Sequence, residues 1–476
     1  MKKNGRRDFL KFSGLTGLGV AGAGMMKAFG NGKNNEFASD HLMGTAHEQQ
    51  FNMSGYAAPK LETVRMGFIG LGQRGPGHLK NMTKVEGVEI KALCDLRPES
   101  IEQAKKRMES PDLKPDVYTG DANAWKKLCE RSDIDAVYIA TPWELHTPMA
   151  LYAMEHGKHA FVEVPAAMTI EDCWKLVKTS EKTRKHCMML ENCAYGFFEL
   201  LTLNMARQGY FGEIVHGEGA YNHNLLGHNF QKDGGYQDMW RLKENAKRNG
   251  NLYPTHGLGP ICQVMNINRG DKMDYLVSVS NNDFMMREKA RELAAKDDFY
   301  KPYVNANFRG NTNTTTIRTN NGRTILVEHD VTSPNVYSRI HRIVGTKGTA
   351  QQYPLPGRIS NGGENWLSEA EVKALEEKYQ PVIVKRVGEM AKEVGGHGGM
   401  DFLLDWRVID CLRNGLALDQ DVYDAASWSC ISPLTEHSVA HRALTMDIPD
   451  FTNGAWKTNK PVDITLENGG NTKVKA

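Results

Sequence analysis

The sequence predicts an α/β fold in two domains: a Rossmann-type parallel-sheet domain, then an α+β domain with a large, mostly antiparallel sheet. Two observations carry this reading. Gly70-Leu71-Gly72-Gln73-Arg74-Gly75 stands between a short apolar run and a helical segment, the setting in which a glycine fingerprint has structural meaning. Near Asn192 the alternation of strand-like and helix-like segments gives way to longer strands in succession. The 476 residues suffice for two such domains, since single domains usually hold about 100–200 residues.

In chain order, residues 1–30 read as a twin-arginine signal peptide. Arg6-Arg7-Asp8-Phe9-Leu10-Lys11 precedes a small-residue apolar run, Gly14 to Met26, too short for a bilayer span and flanked like an export leader. Such a leader carries folded proteins out of the cytosol, so the expected location is periplasmic or otherwise exported by that route. Residues 31–60 are polar and without periodicity, and read as a linker. The first domain, 61–191, is expected to alternate strands (Val64–Ile69, Val88–Cys94, Ala136–Ala140, Ala160–Val162, Cys187–Leu190) with helices (Pro76–Met82, Pro98–Met108, Ala122–Glu130, Pro148–His156, Ile170–Arg184). The second, 192–446, is expected to hold strands at Gly217–Asn222, Tyr275–Ser280, Asn313–Thr319 and Thr324–Asp330. Asn320-Asn321-Gly322 is a hairpin signal between the last two. Helical patterns at Phe402–Leu412 and Ala425–Ala440 are expected to pack on the first domain or on this sheet, and 447–476 reads as a C-terminal tail.

Composition narrows the partners. A formal charge of +2 with interspersed signs disfavours nucleic acid and anionic surfaces, and no segment past the leader is apolar enough to cross a membrane. Eight scattered cysteines without a C-x-x-C pair, and no H-E-x-x-H, disfavour a metal centre. A small neutral ligand is the expectation, and an open sheet offers a surface for self-association into a homo-oligomer.

In the fingerprint, Gly70, Gly72 and Gly75 allow a tight turn and close backbone approach, and the helix N-terminus faces a pyrophosphate. Asp95, at the end of the second strand, stands where a carboxylate accepts from an adenosine ribose, which favours NAD over its 2′-phosphorylated form. Outside the cytosol no pool of free NAD replenishes an enzyme, so the cofactor is expected to be tightly bound and regenerated within each turnover.

Thr141-Pro142-Trp143-Glu144-Leu145-His146 and Glu163-Val164-Pro165 end two further strands, the sheet edge where open α/β folds place ligands. With the fingerprint they resemble the Gfo/Idh/MocA family of nicotinamide-dependent sugar oxidoreductases, over about Leu61 to Met446. Most of that family carries Glu-Lys-Pro in the second motif, the lysine helping proton transfer at the sugar hydroxyl. Here Val164 stands at the lysine position, which weakens a simple dehydrogenase reading.

Asn251-Leu252-Tyr253-Pro254-Thr255-His256-Gly257 sets a phenol and an imidazole one helical turn apart, a pair able to move protons near neutral pH. This segment, with the two strand-end motifs and the leader, resembles glycoside hydrolase family 109, NAD-dependent α-N-acetylgalactosaminidases. The resemblance implies cofactor contacts at Arg74, Gly75, Asp95, Trp143, Glu144, Leu145, His146, Glu163, Val164, Asn192, Tyr253, Pro254, Thr255 and His256. It implies sugar contacts at Tyr221, Arg241, Tyr253 and Tyr337, and a glycan or small-molecule substrate with a terminal α-N-acetylhexosamine. The chemistry it implies is redox-neutral: oxidation at sugar C3, loss of the C2 proton, elimination of the C1 aglycone, hydration and reduction. Tyr253 is the expected acid/base at the C3 hydroxyl or at C2, with His256 assisting or handling the leaving group. His223, His228 and His397 are further polar candidates, His397 foremost because it lies among glycines. The alternative reading is a periplasmic NAD-dependent sugar dehydrogenase or oxidoreductase.

Overall fold

The computed structural model describes residues 47–475 apart from 109 and 111; the leader and residues 31–46 of the expected linker lie outside the described residues. The first domain is a six-stranded parallel sheet in the order β3-β2-β1-β4-β5-β6. Its strands are β1 (Val64–Ile69), β2 (Val88–Cys94), β3 (Asp116–Tyr118), β4 (Ala136–Ile139), β5 (His159–Val162) and β6 (Cys187–Met189). Every residue of β4 and β5 is buried, as the unbroken apolar runs require of strands covered by helices on both faces. The sequence reading passed over β3, whose three residues are mostly exposed and offer no apolar pattern.

The second domain is an eight-stranded sheet, β13-β12-β11-β7-β10-β9-β8-β14. It consists of β7 (Ile214–Asn222), β8 (Met273–Ser280), β9 (Thr312–Thr319), β10 (Thr324–Asp330), β11 (Arg342–Gly345), β12 (Thr349–Gln351), β13 (Arg358–Ser360) and β14 (Met446–Asp447). Neighbours are antiparallel except β7 and β10, which run parallel. The β9–β10 hairpin turns at the expected place, with Gly322 at φ +84°. β9 alternates buried and exposed residues, the period of a sheet with one covered face; helices Thr255–Val264 and Ile431–Ala440 supply the cover.

Helix Thr255–Val264 lies on β7 at backbone distance. A Cβ on Gly219 would stand 2.2 Å from the Gly257 carbonyl oxygen, and one on Gly257 would stand 2.3 Å from the Ala220 nitrogen. Two missing side chains thus let the start of this helix, with Tyr253 and His256, sit against Tyr221 near the end of β7.

Two expectations need correction. The stretch 47–60 is no free linker: Met53 is buried, Gln49 Nε2 donates to the Tyr423 hydroxyl at 2.7 Å, and Ala57 bridges Ala417. Residues 447–475 are no tail: Phe451 and Trp456 are buried, Trp406 Nε1 donates to the Thr472 carbonyl at 3.0 Å, and Val474 bridges Val85. Both read as loose because their order comes from contacts with distant segments. Helix Met400–Asn414 contributes Phe402 and Trp406, fully buried, to the core of the first domain beside Phe68 and Leu79; each such side chain contributes about 2–3 kcal/mol. All eight cysteines are buried thiols.

Candidate active site

The fingerprint loop is built to hold a dinucleotide. At Gly70, φ is +89° and a Cβ would meet the Ala140 carbonyl at 2.5 Å, while a Cβ on Gly75 would strike the Gly70 oxygen at 2.1 Å. Gly72 differs: nothing lies within 4 Å of its Cβ position, so its lack of a side chain serves open space above the loop. Helix Gly75–Thr83 follows with no side-chain cap and no acidic residue in its first turn, which leaves its N-terminus to an anion. Asp95 Oδ2 accepts from the Leu71 nitrogen at 2.7 Å and Oδ1 from the Arg97 nitrogen at 2.9 Å. These bonds fix the carboxylate beside the loop with lone pairs to spare for ribose hydroxyls. The residues present fit NAD.

Beneath the loop runs a partly buried charge network, in which the sequence marks Arg74, Glu163, Asn192 and His397 but not His78, Asp401 and Asp405. Arg74 donates to Glu163 Oε1 at 3.3 Å and Asp401 Oδ2 at 3.2 Å. His78, one turn on, has Nδ1 2.8 Å from Asp405 Oδ2 and Nε2 3.4 Å from Glu163. Burial disfavours charge on His78, but Asp405 and Glu163 outweigh it and lift the imidazole to about 10. Burial likewise works against the Glu163 anion, but Arg74 and His78 hold its carboxyl down at about 2. Asn192 Nδ2 donates to Asp401 Oδ1 at 2.6 Å. His397 Nδ1 lies 2.8 Å from Asp401 Oδ2, with the side chain half exposed, on a loop where residues 395–399 all have positive φ.

Opposite stands an aromatic wall. Trp143 stacks on Tyr253 with ring centroids 5.8 Å apart, Tyr221 lies 5.0 Å from Tyr253, and the His256 ring meets Tyr253 edge-on at 4.8 Å. Tyr337 joins through His223, 5.2 Å away, whose Nδ1 lies 3.2 Å from the Tyr221 hydroxyl. The Arg241 guanidinium sits 4.7 Å from the Tyr253 centroid and 5.2 Å from that of Trp143. His256 Nδ1 lies 2.8 Å from Glu191 Oε1, a fully buried carboxylate at the end of β6. Burial opposes the Glu191 charge, and His256 outweighs it, so its carboxyl titrates below the usual range. Among the described residues, Glu191, Cys193 and His256 also bring one donor atom each within 4.8 Å of one another.

The structure therefore gathers Tyr221, Arg241, Tyr253, His256 and Tyr337, and sets Arg74, Glu163 and Asn192 on the fingerprint side. Val164 is buried at the end of β5, Pro254 and Thr255 are buried at the helix start, and Glu144 and Leu145 are exposed. His146 departs from expectation: its ring is buried, with Nδ1 and Nε2 each 2.7 Å from a carbonyl, of Pro165 and Thr141. It ties the two strand-end loops together rather than opening toward a ligand. Glu191 had a signal in the sequence, since it follows a strand at the ligand edge; Asp401 and Asp405 had only their one-turn spacing.

Comparison with known proteins adds to this geometry. The Gfo/Idh/MocA oxidoreductase NAD-binding Rossmann family matches residues 64–191, and the glycosyl hydrolase 109 C-terminal domain family matches 195–458. The chain belongs to glycosyl hydrolase family 109. A family 109 protein of Bacteroides thetaiotaomicron is 50% identical over 414 residues, covering 84% of this chain and 86% of the relative. A Bacteroides fragilis protein named alpha-N-acetylgalactosaminidase is 50% identical over 415 residues, covering 86% and 96%. The fold is also that of a levoglucosan dehydrogenase solved with NADH and L-sorbose, at TM-score 0.63 and 18% identity, covering 82% and 100%. This family 109 chain is thus an enzyme with the Gfo/Idh/MocA oxidoreductase fold and an NAD-binding domain.

Proposed function

We propose that the protein hydrolyses terminal α-linked N-acetylgalactosamine by the redox-neutral route, with NAD retained through each cycle. The observation that carries this is the juxtaposition of an intact dinucleotide loop with a wall of tyrosines, an arginine and a carboxylate-aimed imidazole, while apolar Val164 stands at the position where the resemblance to most of the Gfo/Idh/MocA family implies lysine. Gly70, Gly72, Gly75 and Asp95 would hold NAD, with Arg74, Glu163 and Asn192 lining its approach to the sugar, and when bound it would supply reversible hydride chemistry at sugar C3.

Burial keeps the Tyr253 phenol protonated well above its ordinary range, against the pull of Arg241. Tyr253 therefore works as a relay at the sugar's 3-hydroxyl: it takes the hydroxyl proton as it passes its own to its neighbour Tyr221, whose hydroxyl lies 3.2 Å from His223 Nδ1, and the imidazole hands the proton on toward solvent. His256, with Nδ1 held by Glu191, presents Nε2 as the base for the C2 proton. His397, aimed by Asp401, is the acid for the departing aglycone. We further place the protein outside the cytosol on the strength of the paired arginines at 6 and 7, and its open sheet face, where Thr314, Thr316 and Arg318 are exposed, offers a surface to a second copy.

The test is to mix purified protein, without added NAD, with 4-nitrophenyl α-N-acetylgalactosaminide and follow nitrophenol and NADH absorbance together. Many turnovers of release without NADH build-up are expected. NADH build-up without release would overturn the proposal in favour of a dehydrogenase. Export is read by cell fractionation, with Arg6→Lys and Arg7→Lys together expected to retain the protein in the cytosol.

A further inference from the structure

We infer that Arg241 is a catalytic residue whose positive charge stabilises the anion formed on the sugar's 3-oxygen when the C2 proton leaves; this rests on the redox-neutral reading above. The residue is 6% exposed, and among the described residues no carboxylate comes within 4.0 Å of it. Among the described residues, three of the other four buried guanidiniums are paired: Arg269 with Asp421 and Asp424, Arg339 with Glu199, Arg407 with Asp410 and Asp419. Arg309, also without a carboxylate and likewise with Nη2 unpartnered, spends Nε on Asn245 and Nη1 on two backbone carbonyls. Among the described residues Arg241 has one hydrogen bond, from Nη1 to the Tyr236 hydroxyl at 2.7 Å, and its Nη2 is buried without a partner.

Rings surround it instead. Tyr253, Trp143, Tyr236 and Tyr221 lie 4.7, 5.2, 5.2 and 5.9 Å from the guanidinium carbon. Aromatic faces hold a cation but do not neutralise it, and they exclude the water that would screen it. An unpaired buried charge is costly, and a neutral amido sugar brings no counter-charge. The counter-charge appears only during reaction. Interactions of that kind accelerate chemistry, because they strengthen between ground state and transition state. Arg241 is also in the right neighbourhood: it touches Tyr253, assigned above to the 3-hydroxyl, and Trp143, from the strand-end loop on the cofactor side.

The step balances without a metal. With C3 at the ketone level, the C2–H bond breaks and its proton passes to His256. The electron pair forms C2=C3, and the carbonyl becomes an alkoxide-like oxygen that accepts from Arg241 Nη2. That charge then collapses back to C3=O, C1=C2 forms, and the C1–O pair departs with the aglycone, which takes its proton from His397.

The experiment compares wild type with Arg241→Gln and Arg241→Lys, all as purified with NAD bound. A methyl 3-keto-N-acetylgalactosaminide is supplied directly in D2O, and exchange at C2 is read by proton NMR. Binding of N-acetylgalactosamine and the C2-deuterium isotope effect on kcat are measured alongside. In R241Q, C2 exchange and kcat are expected to fall together by about 10²–10³-fold, with a primary isotope effect at C2 and sugar binding weakened by less than about fivefold; R241K is expected to recover part of the exchange rate. Loss of binding matching the loss of kcat/KM, with C2 exchange as in wild type, would make Arg241 an ordinary sugar contact and overturn the inference. So would much tighter ground-state binding of a sulfated or carboxylated sugar than of the neutral one. Wild type that neither exchanges C2 nor releases aglycone would instead sink the redox-neutral reading itself.

Discussion

Replacing Gly257 with alanine tests whether the backbone contact between helix Thr255–Val264 and β7 sets the catalytic geometry. The added methyl would lie 2.3 Å from the Ala220 nitrogen and 2.7 Å from the Gly219 carbonyl carbon. Both neighbours are main chain inside a sheet, so no side chain can swing aside. An ordinary contact then demands that helix and strand part by about 1 Å, a misplacement able to cost about 10²-fold in rate. The displacement acts between Tyr221 on the strand and Tyr253 and His256 at the helix start, and carries His256 away from Glu191. Overpacking costs about 1–3 kcal/mol, partly offset by up to about 1 kcal/mol from the better helix propensity of alanine. The assay is kcat on 4-nitrophenyl α-N-acetylgalactosaminide, with the denaturant midpoint and the NAD released on unfolding measured in parallel. G257A is expected to lose about 100-fold in kcat, to unfold at slightly lower denaturant, and to keep most of its NAD, because the fingerprint loop and Asp95 lie on other elements and only the contacts expected at Tyr253–His256 shift. A variant with kcat within about threefold of wild type would refute the reasoning, since the clash would then be absorbed without disturbing the site.

Other perturbations separate the parts of the site. Gly72→Val is expected to strip NAD from the purified protein, read by the dinucleotide recovered after denaturation, and to leave the unfolding midpoint of the NAD-free protein nearly unchanged, because its Cβ position is open. His78 has a folded pKa raised to about 10 from 6.5, so the stability it contributes is fully present below about pH 6.5 and is lost as pH rises through about 10. Linkage sets that contribution at no more than about 5 kcal/mol, and chemical unfolding between pH 6 and 10.5 is expected to show a decline that His78→Gln flattens. Activity is expected to survive EDTA; loss restored by a divalent ion would make Glu191, Cys193 and His256 a metal seat.

What the sequence made legible was what short-range pattern encodes. The fingerprint, the fully apolar strands β4 and β5, the Asn320–Gly322 hairpin and the Tyr253–His256 turn each announce themselves within a dozen residues. The site's electrostatics did not. His256 meets Glu191 across 65 positions and His78 meets Asp405 across 327; Glu191's place after a strand marks the ligand edge but not its partner, Asp405 stands in no motif, and only the fold brings the pairs together. His146 misled because it lies in a ligand-edge loop, while its ring turns inward to fasten that loop. Residues 47–60 and 447–475 misled for the opposite reason, being polar segments whose few apolar anchors find their partners far away in the chain.

The core of the first domain is assembled from both sides of the second, with β1 to β6 waiting for helix Met400–Asn414 and for the strand-like stretch that reaches Val474. At about 5–20 residues per second, a ribosome needs roughly 17–70 s to travel from Val64 to Phe402. Through that interval the nascent sheet, glycine loop included, has a bare apolar flank and lacks Asp401 and Asp405 to neutralise Arg74 and His78. The dinucleotide seat is therefore a late product of synthesis: the chain closes its nucleotide domain only after the sugar domain has been made, and the two ligand sites mature together.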